Sequence, residues 1–148
     1  MLVAGAHSPD GGSALLLDAC RIGGFKAQSS FVVLLETLRA LKGLPPESLR
    51  CFYQLLTEID WELLPIPSEN IMHKYERYVA AKDVHVLAAA AEGQAEFLLT
   101  LDRRHLLTAA QAIKDAGWLI VILRPGDFIR EYYAQHEDYP SLPSVRSR

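Results

Sequence analysis

Three acidic side chains stand where an α/β chain places its chemistry. Asp102 lies directly beyond a strand-like run, Asp83 lies at the start of a helix, and Glu36 lies within a mostly apolar helix. Carboxylate oxygens are the donors that hard divalent cations prefer, and cations so held activate water and stabilise a leaving oxygen in phosphodiester hydrolysis. Each acid also has a purely structural reading. Asp83 can be an N-cap, Asp102 a turn residue, and Glu36 a member of an exposed helix edge, although Val32, Val33, Leu35 and Leu38 surround it with apolar surface. Lys82, Arg103, Arg104 and His105 flank the acids and offer contacts to a phosphate backbone, or are solvated groups beside a turn. His85 follows Asp83 by two residues, off its helix face, and His7, His73 and His136 occupy loop or polar segments. None of these four is read as a ligand.

The elements that must position the acids follow from caps and periodicity. Ser13 can cap a first helix over Ala14 to Ile22, closed by Gly23-Gly24, and Phe25 to Gln28 reads as a short strand. Ser29 or Ser30 can cap a helix over Phe31 to Leu41, with Leu34, Leu35, Leu38 and Leu41 on one stripe. Pro45-Pro46-Glu47 opens a helix to about Glu58, Trp61 to Leu64 reads as a strand, and Ser68 caps a polar helix through about Tyr78. A helix over Val84 to Glu92, with Gly93 as its C-cap, precedes a strand Glu96 to Thr100 and a polar turn at Asp102-Arg103-Arg104. Another helix runs roughly from Thr108 to Asp115 and ends at Gly117; the apolar run Trp118 to Leu123 suits a strand buried on both faces. Pro125-Gly126-Asp127 starts a last helix over Phe128 to Gln135, whose aromatic surplus fits core packing or a homodimer surface. Strands alternating with helices imply an open parallel sheet with right-handed crossovers.

A chain of 148 residues, half of them hydrophobic, suits one core, so a single domain is expected over 1–138 with a loose tail over 139–148. The net charge of −3 argues against a protein that binds nucleic acid mainly by neutralising phosphates. It does not argue against a nuclease whose clustered carboxylates are offset by cations. Cys20 and Cys51 lack zinc-ligand spacing, which suits a reduced, cytoplasmic protein. The apolar runs are far shorter than a membrane span and Met1 to His7 lacks the pattern of a signal peptide, so no membrane partner is expected.

The stretch from Ala81-Lys82-Asp83-Val84 into the alanines at 88–90, followed by Phe97-Leu98-Leu99-Thr100-Leu101-Asp102, closely resembles the C-terminal half of PIN domains. Ile120-Val121-Ile122-Leu123-Arg124-Pro125 resembles the last strand and proline-led helix of that family, and Leu34-Leu35-Glu36-Thr37-Leu38 is similar to its second acidic position. The resemblance implies a three-layer α/β/α fold with parallel strand order 3-2-1-4-5. It further implies that Glu36, Asp83 and Asp102 are three of four acidic ligands for Mg²⁺ or Mn²⁺, with Thr100 as a supporting hydroxyl. PIN domains usually open with a strand ending in aspartate, threonine or serine, and asparagine; Met1-Leu2-Val3-Ala4 resembles only the apolar residues that trail it. The first strand and its aspartate are therefore expected to be missing or truncated, and Asp10 and Asp18 are poor substitutes. A start assigned too late is the favoured explanation, because the central strand supplies backbone partners to both neighbours. The implied activity is a metal-dependent endoribonuclease, with RNA as substrate and an antitoxin protein as partner if the chain is the toxin of a toxin-antitoxin pair. The competing class is a catalytically incomplete binding module on the same fold.

Overall fold

The computed structural model describes residues 1–137, 142 and 143. The chain begins with α1 (Leu2–His7) and α2 (Gly12–Arg21), then β1 (Ala27–Ser30), α3 (Phe31–Leu41), α4 (Pro46–Glu58) and β2 (Trp61–Leu64). It continues through α5 (Glu69–His73), α6 (Val84–Glu92), β3 (Phe97–Leu99), α7 (Leu106–Asp115), β4 (Val121–Leu123) and α8 (Pro125–Glu131). Short 3-10 turns at Ala81–Asp83 and Tyr133–Gln135 precede α6 and follow α8. The architecture is mixed α/β, with one two-stranded sheet of β1 and β2 and another of β3 and β4. No helix among the described residues is long and apolar enough to cross a membrane.

The chain divides into two compact units, each discontinuous in sequence. The first comprises Met1–Ala27, Leu34–Glu62 and the residues from Pro125 onward. Its core gathers Ala6, Leu17, Leu41, Phe52, Leu55 and Ile59, with α1 packed on α2 and α4. Arg21 joins Asp18 and Glu58 in an exposed ion-pair triad, an arrangement that contributes little to stability at the surface. Much of the aromatic surplus near α8 is used inside this unit. The Phe25 ring lies 5.4 Å from Phe128, 5.7 Å from Tyr133 and 4.6 Å from His136. The expected tail lies outside the described residues apart from Leu142, which is buried, and Pro143, whose carbonyl accepts a hydrogen bond from the Tyr133 hydroxyl.

The second unit comprises Gln28–Val33 and Leu63–Arg124. Val84, Leu87 and Ala88 of α6 share one helical stripe and pack with Leu106, Ala109 and Ile113 of α7 and with Ile120 and Ile122. Full burial of a side chain such as Leu87 or Ile113 contributes about 1.5–3 kcal/mol. β3 and β4 run parallel, with Phe97, Leu98 and Leu99 opposite Val121, Ile122 and Leu123. Bonds from Val121 N–H to the Glu96 carbonyl and from Thr100 N–H to the Leu123 carbonyl extend this ladder, so its span matches the strand expected over 96–100.

Two expected elements differ in the structure, and the first residues of the chain take up a helix. Met1 to Ala4, read as the apolar residues that follow a missing strand, lead into helix α1 (Leu2–His7), which buries Gly5 and Ala6. The helix expected from Ser68 to Tyr78 stops at His73, although Ser68 does cap it by accepting from Ile71 N–H. Beyond it, Tyr75 is drawn into the core, 5.1 Å from the Trp118 ring, with its hydroxyl donating to Glu92, and this tertiary contact overrides helical propensity. The apolar run at 118–123 is not buried on both faces. Leu119 is 94% exposed and Val121 is also exposed, while Ile120 and Ile122 face the core.

Helices α2, α6 and α7 all end in the same paired hydrogen bonds. In α7, Trp118 N–H bonds the Ile113 carbonyl and Gly117 N–H bonds the Lys114 carbonyl; in α6, the corresponding donors are Ala95 and Gln94. The reversing residue is Gly117 at φ +80° in α7, but Gln94 at φ +55° in α6. A side chain in the left-handed region costs about 1 kcal/mol that glycine does not pay. Gln94→Gly should therefore stabilise the protein by roughly 0.5–1 kcal/mol, and Gly117→Ala should destabilise it by a similar amount, both read from urea unfolding midpoints.

Candidate metal centre

Every residue of the centre comes from the second unit. β3 ends at Leu99, and the chain turns through Thr100 to His105 before α7 begins. Thr100 is buried, and its Oγ1 accepts a hydrogen bond from Asp102 N–H at 3.1 Å, which fixes the backbone under the acid. The two oxygens of Asp102 have different tasks. Oδ1 accepts from the N–H groups of Arg104 and His105, both at 3.0 Å, and so closes the turn. Oδ2 faces the His105 imidazole, with Nδ1 at 3.1 Å.

Asp83 occupies the N-cap position of α6 but makes no capping hydrogen bond there. The reading of Asp83 as a structural cap is thereby removed. Its side chain is only 15% exposed, and Oδ2 is shielded from solvent and accepts no hydrogen bond. His105 Nδ1 lies 3.7 Å from that oxygen and Lys82 Nζ lies 3.9 Å from it. Leaving a carboxylate oxygen buried without a donor is costly unless a cation serves it.

Among the described residues, Asp83, Asp102 and His105 form the one group able to hold a metal ion, with one ligand atom from each lying within 4.8 Å of the others. The donor set fits a divalent cation. Ligand atoms bound at about 2.1 Å stand roughly 3.0 Å apart at octahedral corners and 3.4 Å apart at tetrahedral ones; the separations from His105 Nδ1 are 3.1 and 3.7 Å. The Thr100 hydroxyl lies at the turn and bonds the Asp102 backbone, and Lys82, Arg103 and Arg104 are exposed around the acids. Glu36 belongs to the first unit, exposed on α3. His105 is the member that sequence reasoning undervalued. Its signal was the spacing Asp102-x-x-His105, which brings a side chain at a helix start back onto the turn that precedes it.

Comparison with protein-family models, with curated proteins and with solved structures returns no match.

Burial works to raise the Asp102 carboxyl pKa. The hydrogen bonds from His105, through both its backbone and its ring, and from Arg104 N–H outweigh burial and hold the value below the ordinary 3.8. A carboxyl depressed in the folded state adds stability that is complete above the unfolded value and is lost as pH falls through the folded one. The stability of the native protein relative to Asp102→Asn should thus be constant from neutral pH down to about 4 and decline below 3.8, as measured by urea unfolding across that range.

Proposed function

We propose that this chain is a PIN-type, metal-dependent endoribonuclease whose cation is held by Asp83 and Asp102. The observation that carries this reading is Asp83: a carboxylate that serves no cap, whose shielded Oδ2 accepts no hydrogen bond, and which lies beside a second carboxylate from a separate strand-helix junction. Strand pairing supports the same reading. In the order 3-2-1-4-5 with its first strand set aside, the remaining neighbours are the second with the third and the fourth with the fifth. β1 with β2 and β3 with β4 are those pairs.

When bound, Mg²⁺ or Mn²⁺ supplies an activated water and charge stabilisation for the leaving oxygen of a phosphodiester. The residues of the chain do the positioning. Asp83 and Asp102 offer the anionic oxygens, and the Thr100 hydroxyl with the Asp102 turn keeps one of them from rotating away. Lys82, Arg103 and Arg104, exposed beside them, engage the flanking phosphates, which gives an otherwise acidic protein a local attraction for RNA.

Cleavage of a single-stranded RNA by the full chain tests the proposal. Activity should require Mg²⁺ or Mn²⁺, disappear with chelator, and fall more than about 100-fold in Asp83→Asn and Asp102→Asn, beyond the loss typical of an outer-shell group. Cleavage that survives both chelation and the two aspartate substitutions would overturn the reading. Metal binding with no cleavage of any RNA would instead identify a catalytically incomplete binding module.

A further inference from the structure

We infer that His105 is itself a ligand of the cation, so that the centre offers two carboxylate oxygens and one imidazole nitrogen and prefers a first-row transition ion to Mg²⁺. The inference rests on the cation-binding reading above and adds to it a donor and an ion class.

The geometry is specific. His105 Nδ1 lies 3.1 Å from Asp102 Oδ2 and 3.7 Å from Asp83 Oδ2, so one nitrogen addresses both acids through one oxygen each. Those are the oxygens left over by the fold. Asp102 Oδ1 is committed to two backbone N–H groups, whereas Asp83 Oδ2 accepts no hydrogen bond. Imidazole placement is also restrained. Its own backbone N–H is held by Asp102 Oδ1, the next residue, Leu106, is buried in the core, and only a third of the side chain is exposed. A histidine that merely reached for phosphate would point outward, as the exposed Arg103 and Arg104 do.

In this arrangement a single position serves either a proton or an ion. With the proton on Nδ1, the ring donates to Asp102; with the proton on Nε2, the Nδ1 lone pair is available to a metal. Mg²⁺ is bound through oxygen ligands and gains little from such a nitrogen. First-row transition ions bind imidazole well, and their affinity for a mixed nitrogen and oxygen site rises from Mn²⁺ upward. Mn²⁺, lowest in that order, is accordingly the stringent probe.

The experiment uses the full chain with Mn²⁺ and Mg²⁺ alone, without RNA. Calorimetric titration should give Mn²⁺ at least about tenfold tighter binding than Mg²⁺, and His105→Gln should remove most of that advantage while changing Mg²⁺ affinity little. Pulsed electron paramagnetic resonance of the Mn²⁺-loaded protein should show modulation from a directly bound ¹⁴N nucleus, absent in His105→Gln. His105→Asn provides a second variant, and the wild-type spectrum is informative without either. Bound Mn²⁺ that shows no nitrogen, or nitrogen modulation that persists in both variants, would overturn the assignment of His105 and leave the carboxylate centre intact. Failure of the wild type to bind Mn²⁺, or binding unaltered in Asp83→Asn with Asp102→Asn, would overturn the centre and the nuclease reading together.

Discussion

Like charge held at close range is the constraint around which the second unit is organised. Two carboxylates about 4 Å apart repel by about 1 kcal/mol in water and about 4 kcal/mol at the effective dielectric of a protein surface. Oxygens of Asp83 and Asp102 stand within 4.8 Å of each other, and His105 stands against both. Such a pair persists only when the backbone dictates it. Here it is dictated by a helix start on one side and a strand end on the other. Both are fastened to the same core, because Val84 and Leu87 of α6 pack with Leu106 and Ile113 of α7.

The alanines of α6 have a part in this. Ala88 is fully buried and Ala90 nearly so, and Ala88 of α6 shares the unit's core with Ala109 of α7. A larger side chain at Ala88 or Ala109 would overpack the core that both helices share. Gly93 acts similarly at the other end of α6. A Cβ there would come within 2.5 Å of Leu64 Cδ2 and 3.0 Å of the Ala89 carbonyl. The polar geometry of the centre thus depends on apolar contacts a helix length away.

Much of this was legible in the residues. Proline at the start of α4, the glycine after α7 and the alternation of apolar character fixed α3, α4, α6 and α7 to within a residue or two, because those signals act locally. Asp83 and Asp102 were legible as acids at a helix start and a strand end, and Thr100 as their neighbour. What escaped was decided by contacts distant in sequence. Tyr75 ended α5 by entering a core it shares with Trp118, forty-three positions further on. Leu119 reads as core by type, yet stands almost fully exposed between half-buried Trp118 and buried Ile120. His105 reads as a solvated group beside a turn, and only the folding back of that turn onto Asp102 puts its ring between two acids. The division into two units has no sequence signal either, because neither is a continuous stretch.

That interleaving has a practical corollary. The chain passes between the two units after Ala27, after Val33, after Glu62 and after Arg124. No single scission can release either one whole, and the obvious excision, 63–124, would carry Asp83, Asp102 and His105 but leave behind the short segment whose Gln28 side chain bonds the carbonyl of Gly93. Fragments are thus poor surrogates for this molecule, and a nick by a protease in any connecting strand would loosen two cores at once.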